Sequence, residues 1–187
     1  MSVVMSENNK IQDVILISRS RYCDSRGYFN ELSKQDCTFA EYSFVQTNHS
    51  RSLQGTLRGL HYQIGKPQGK LVHVITGRIF DVAVDLRPDS PTFGQWVGEY
   101  LCEERADSLW IPPGFAHGFY VLSPQADIVY ECTAHYSQPD ERAIRWDDPM
   151  LAIDWPLLEN VPLRLSDKDD NAPLWDESAF DTNDDAK

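Results

Sequence analysis

From Asp13 to Glu131 the chain is written in short apolar or alternating runs broken by Gly, Pro, Asn and Ser, and the i, i+3, i+4 spacing of an amphipathic helix is scarce. That pattern predicts an all-β domain. The clearest stretch is "LVHVITGRIFDVAVDLR", where Phe80, Val82, Val84 and Leu86 alternate against Asp81, Ala83 and Asp85. Thr76-Gly77-Arg78 between its two β-rich arms reads as the turn of a hairpin, and Asp81 and Asp85 are expected on one face. Further strands are predicted at "WVGEYLC", "SLWI", "GFYVL" and "DIVYECTAHY", with Ile128, Tyr130, Cys132 and Ala134 on one side of the last. Pro-Pro-Gly and Ser-Pro punctuate them, as in a sandwich or jelly roll. A short helix is hinted at around "KQDCTFAEY". Beyond Pro149 the density of Pro and turn formers predicts irregular strand and short helix wrapped around the barrel, and the acidic stretch at about 175–187 reads as a mobile tail.

With 187 residues, 41% of them hydrophobic and 11% aromatic, the chain is sized for one domain (1–187, core about 13–174). "MSVVMSENNK" has no leader pattern, and no run nears the roughly 18 apolar residues that span a bilayer, so a soluble, cytoplasmic protein away from membranes is expected. Cysteines 23, 37, 102 and 132 form no C-x-x-C pair, which points to reduced thiols and away from a zinc knuckle. A formal charge of −12 repels a phosphate backbone and disfavours a nucleic-acid role. An anionic ligand must therefore meet local Arg and Lys.

The chemistry centres on His61 in "RGLHYQ". Gly55, six residues earlier, and the Pro-x-Gly-x-x-His of "PPGFAHGF" ending at His117 resemble the two histidine motifs of metal-binding cupins. The ligand set is broken, because Gln63 stands where a second His is needed and no Glu follows in "IGKPQGK"; no metal is expected. An imidazole titrating near pH 6.5 suits proton abstraction, and a carboxylate on its other nitrogen fixes the tautomer. Asp81, Asp85, Asp167 and Asp169 are the candidates for that partner. Lys70 in "PQGKLV" can meet charge on a carbonyl oxygen, and Tyr130 can return a proton from the opposite side. Base, cation and acid together describe a racemase or epimerase. Each residue also has an ordinary reading: His61 satisfied in the core, Tyr130 a core aromatic, Lys70 solvated, Asp167 and Asp169 turn or cap residues.

At these residues the chain resembles the dTDP-4-dehydrorhamnose 3,5-epimerase family. Ordered blocks carry the resemblance from about Val14 to Leu174: "DSRGYFNE", "FVQTNHS", "LRGLHYQ", "QGKLV", "GRIFDVAVDLRPDSPTFGQWVG", "LWIPPGFAHGF", "IRWDDP" and "LSDKDDNAPL". It implies a cupin-like jelly-roll barrel with a few short helices, working without metal or cofactor as a homodimer whose strands cross between subunits. The implied substrate is a dTDP-4-keto-6-deoxy sugar, epimerised at C3 and C5 through an enolate. It implies His61 as base, Asp169 as its carboxylate, Tyr130 as acid and Lys70 beside the enolate oxygen, with Asp81 and His117 near the sugar. Arg26 and Arg58 match the diphosphate contacts, and Phe29, Glu31, Gln46 and Asn48 match positions around the nucleotide. Tyr136 is expected to stack on thymine. Relatives that invert C3 or C5 alone, a metal-dependent cupin enzyme and a nucleotide-sugar binding module are the competing readings.

Overall fold

A computed structural model describes residues 2–3, 11, 13–34, 39 and 41–176. The helix hinted at around "KQDCTFAEY" falls mostly on residues outside that set, and so does the acidic tail from 177 onward. The strands are β1 (Ser2–Val3), β2 (Ile15–Ser18), β3 (Arg21–Asp24), β4 (Gly27–Asn30), β5 (Gln46–Leu53), β6 (Leu57–Gln63), β7 (Lys70–Thr76), β8 (Arg78–Asp85), β9 (Trp96–Cys102), β10 (Ser108–Ile111), β11 (Phe115–Val121), β12 (Gln125–Cys132) and β13 (Glu141–Ala143). A 3₁₀ turn (Gln138–Asp140) precedes β13, and a single-turn helix, α1 (Asp167–Asp170), lies near the end. The strands form a six-stranded sheet, β1-β2-β10-β7-β12-β5, facing a five-stranded sheet, β13-β6-β11-β8-β9, while β3 and β4 make a separate hairpin. All the strand pairs are antiparallel, which gives the expected cupin-like jelly roll.

One expectation fails. The two arms around Thr76-Gly77-Arg78 do not pair, because β7 belongs to the six-stranded sheet and β8 to the five-stranded one. Gly77 is the corner between them, at φ +82, where a Cβ would lie 2.2 Å from the Gln125 carbonyl oxygen. Its N–H donates to the Glu103 carboxylate (2.7 Å) and its carbonyl accepts the Glu103 N–H (3.0 Å), so the turn is tied to another loop instead of closing on itself. Alternation alone could not separate the cases: both arms are buried on both faces, and such a strand suits a crossover as well as a hairpin.

The two faces of the five-stranded sheet differ. Ile79, Ala83, Phe115 and Phe119 point between the sheets and join Val72, Val74, Leu109 and Ile128 in the barrel core. Phe80, Val82, Val84 and Leu86, the regular apolar alternation of β8, point outward. They pack against Ile144, Leu151 and Trp155 of the C-terminal segment, which is why that segment lies flat on the barrel. Full burial of such a side chain is worth roughly 1.5–3 kcal/mol, enough to hold a stretch with almost no strand of its own. Backbone bonds between Leu57 and Arg164 (3.0 Å) and between Arg164 and Gly55 (2.8 Å) fix its register against β6. The barrel end of this segment carries α1. On the outer face of the other sheet, Ile17, Leu71 and Trp110 form a smaller cluster with Phe39.

Candidate active site

Strand β6 places its side chains through an irregularity. His61 is opposite His117 and Arg58 opposite Phe119, so three residue steps on β6 (58 to 61) face two on β11 (117 to 119). The extra residue is a bulge at Gly59, with φ +129. A Cβ at Gly59 would sit 2.5 Å from the Gly118 Cα, so glycine there lets the strands close up. The consequence is directional: Arg58 and His61, three residues apart, share the inner face that strict alternation would deny one of them.

α1 supplies the partner of His61. Ser166 caps the helix, accepting the Asp169 N–H (3.2 Å) and donating its hydroxyl to the Asp169 carboxylate (2.7 Å). The other oxygen of Asp169 lies 2.5 Å from His61 Nε2. Asp169 is thus both a helix-cap residue, as its local sequence reads, and the orienting carboxylate. Burial pushes this carboxyl up, but the bonds from His61, Ser166 and the Gly59 N–H hold it below the ordinary carboxylate range, so it is an anion and Nε2 carries the proton. Nδ1 is left as the lone pair that can act as a base. His61 retains 28% side-chain exposure while Asp169 keeps 4%, the arrangement of a working group backed by a buried orienter.

The exposed side of His61 opens into a cleft of about 320 Å³. Lys70 from β7, Tyr130 from β12, Gln46 and Asn48 from β5, and Tyr136 line it with His61. Burial lowers the Lys70 ammonium from its ordinary value, against the pull of Cys132, Asp81 and Glu141. Burial raises the Tyr130 phenol, Cys132 adds to this and Arg58 opposes it, so the hydroxyl stays protonated and able to donate at neutral pH. Gln46 binds both Asn48 (2.9 Å) and the Tyr136 N–H (2.9 Å), joining three of the expected nucleotide positions into one polar wall.

Gln63, the residue that breaks the metal motif, has its amide occupied by backbone: it donates to Lys66 and His135 carbonyls (3.0 and 3.3 Å) and accepts the Ser137 N–H (2.8 Å). Among the described residues no three His, Cys, Asp or Glu side chains stand together as a metal-binding group.

Comparison with known proteins bears directly on this site. The family model for dTDP-4-dehydrorhamnose 3,5-epimerase matches residues 8–177. The chain belongs to that family. It is 53% identical over 163 residues to the dTDP-4-dehydrorhamnose 3,5-epimerase of Pseudomonas aeruginosa, covering 85% of this chain and 89% of that one. The crystal structure of the 3,5-epimerase from Legionella pneumophila in complex with dTDP-4-keto-L-rhamnose superposes with a TM-score of 0.86 at 49% identity, covering 92% of each chain. A 3′-monoepimerase from Streptomyces bikiniensis, in complex with dTDP-quinovose, matches at a TM-score of 0.81 and 31% identity, covering 89% of this chain and 85% of that one.

Within this epimerase-family fold, the expected residues fall into three places. His61, Lys70, Tyr130, Gln46, Asn48 and Tyr136 meet at the cleft, and Asp169 stands directly behind His61. Arg58, held at Nε by the buried Ser52 hydroxyl (3.0 Å), shares the inner face but does not line the cleft, and His117 and Asp81 form a second imidazole–carboxylate pair that also stays off it. Arg26, Phe29 and Glu31 lie apart, on and just after the β3–β4 hairpin. There Arg26 is 88% exposed and, among the described residues, pairs with Asp24, while Glu31 reaches Arg19 (3.6 Å). Sequence reasoning missed Gln68 and Glu141 on the cleft wall. Burial pushes Glu141 up, yet Lys168 and the Tyr136 hydroxyl hold it below the ordinary carboxylate range. Lys168 was readable as the neighbour of Asp169 in "LSDKDD"; nothing in the spacing around Glu141 marks it.

Proposed function

We propose that the chain inverts C3 and C5 of dTDP-4-keto-6-deoxy-D-glucose without a cofactor, yielding the L-configured 4-keto sugar. The observation that carries this reading is His61, bound at Nε2 to a buried carboxylate and opening onto the same cleft as a protonated phenol and a lysine. The C4 ketone acidifies the hydrogens on both flanking carbons. His61 Nδ1 takes one of them, the electron pair moves onto the C4 oxygen as an enolate, and Lys70 meets that charge. Tyr130 then protonates the carbon from the other face; His61 releases the proton it took to solvent, and Tyr130 recovers one from solvent, so both groups are reset. Repeating the cycle on the second carbon completes the product.

The diphosphate is met by Arg58 and the nucleotide by Gln46, Asn48 and Tyr136. Arg26, Phe29 and Glu31 serve in the cleft of a second copy, in a cytoplasmic homodimer whose hairpins cross. The exposure of this aromatic hairpin supports the exchange: Tyr22, Tyr28 and Phe29 are each more than half exposed in the single chain. Mixing Arg26→Ala with His61→Ala subunits tests it, because crossed sites restore one intact cleft per mixed dimer. Recovery of no activity in the mixture would put both groups in one subunit.

NMR in D₂O tests the chemistry. The wild-type protein is expected to take up deuterium at C3 and C5, whereas uptake at one carbon only would make it a mono-epimerase. Tyr130→Phe is expected to exchange the hydrogen without inverting the carbon, since His61 then returns a deuteron to the face it came from. Normal epimerisation by that variant would remove Tyr130 from the mechanism.

A further inference from the structure

Arg58 is the cation that the proposed chemistry gives to the diphosphate, and the structure shows how its side chain is aimed. Its Nε–H donates to the Ser52 hydroxyl (3.0 Å), so one hydrogen bond links β6 of the five-stranded sheet to β5, the edge strand of the six-stranded one. Ser52 is 4% exposed, whereas Arg58 stays open to solvent. The acceptor is buried and fixed while the far end of the donor is free. A guanidinium held at Nε keeps both Nη groups for an oxyanion. On β5 Ser52 follows Gln46 and Asn48 at every second residue, facing Ala126 of β12 as they face Cys132 and Tyr130, so it continues the polar wall of the cleft toward Arg58.

The kind of acceptor matters in a chain with a formal charge of −12. Arg26, the other expected diphosphate contact, lies against the Asp24 carboxylate (2.7 Å), and Arg51, Arg87 and Arg145 are likewise paired with aspartates. Arg58 has no carboxylate partner among the described residues; a hydroxyl holds it instead. A hydroxyl orients the guanidinium without cancelling its charge, which an aspartate in the same place would do.

We propose that Ser52 is a positioning residue for the substrate's diphosphate: its buried hydroxyl holds Arg58 at Nε, so that both Nη groups meet the phosphate oxygens with their charge undiminished. This rests on the epimerase reading for what Arg58 meets, and on the geometry for how Arg58 is held.

Thermal shift with dTDP tests the link before any turnover is measured, and it still reads weak binding. Ser52→Ala is expected to weaken dTDP about 3- to 10-fold, the size of one net hydrogen bond. Repeated on Arg58→Ala, the same substitution is expected to cost nothing further, because the side chain it aims has gone. Unchanged affinity in the single variant, or an equal loss in both backgrounds, would overturn the proposal. Ser52→Cys, close in size and a weak acceptor, is expected to repeat the loss, which covers an alanine variant that does not fold. With the 4-keto sugar as substrate, KM of Ser52→Ala is expected to rise by the same factor while kcat is held. A loss confined to kcat would leave Ser52 a support of the barrel and also overturn the proposal. If dTDP responds as stated but the wild type moves no deuterium into the sugar, the aiming of Arg58 stands and the epimerase reading falls.

Discussion

Two imidazole–carboxylate pairs stand on neighbouring strands of one sheet, with His61 and His117 directly opposite each other, yet only the first faces the cleft. His61 keeps 28% exposure and takes its carboxylate from a helix turn more than a hundred residues later; His117 keeps 8% and takes its own from the adjacent strand. The difference teaches that the pair itself does not make a base. Access to a ligand on the second ring nitrogen does, and the same pairing buried behind the wall becomes a support.

Substitutions should separate the two pairs. The largest effect is expected from His61→Ala, a rate loss on the order of 10⁴-fold in solvent-exchange assays, at the upper end for a single acid–base group, with melting temperature little changed. His117→Ala should do the reverse: it leaves Asp81 buried without its imidazole and is expected to cost about 3–5 kcal/mol in urea unfolding. Equal destabilisation by the two variants would erase the distinction. Asp169→Asn, which keeps the shape and removes the charge that selects the tautomer, is expected to cost nearer 10²-fold in kcat.

Acid separates the pairs as well. Both His117 and Asp169 titrate below their ordinary values in the fold, so each contributes stability that is whole above its unfolded value and is lost as pH falls. The loss begins below about 6.5 for His117 and below about 3.8 for Asp169. Urea unfolding followed downward in pH should therefore lose stability first through the buried pair, and His117→Gln should abolish that earlier step alone. The smallest effect is expected for Ser166→Ala, about 0.5–2 kcal/mol for a lost helix cap, with a modest drop in rate as Asp169 loosens.

Much of this was legible in the sequence, because local rules and the fold agree along most strands. The run containing Ile128, Tyr130 and Cys132 does turn Ile128 and Tyr130 into the barrel core and bury Cys132, and "LSDKDD" does form a capped turn that delivers Asp169. Elsewhere the pattern was true but ambiguous. The alternation of Phe80, Val82, Val84 and Leu86 reads as a core-facing strand, and these residues are buried, but outside the barrel beneath the C-terminal segment. Periodicity gives two faces without saying which is inner, and it gives a turn at Gly77 without saying whether the chain returns to the same sheet. The bulge at Gly59 escaped for a related reason: one inserted residue is invisible until a partner strand is there to count against. Asp81 shares a face with the site, as expected, but depth along that face is a three-dimensional quantity that strand phase does not encode.

The competence of the site depends on the C-terminal segment. His61 is built into a strand of the barrel, and its orienting carboxylate comes from α1, which follows Leu151 and Trp155 in the chain, both packed on the outside of the barrel. A barrel whose last stretch has come loose would keep its pocket and its histidine while losing direction over the proton, so turnover, more than secondary structure, reports whether the final wrap is in place.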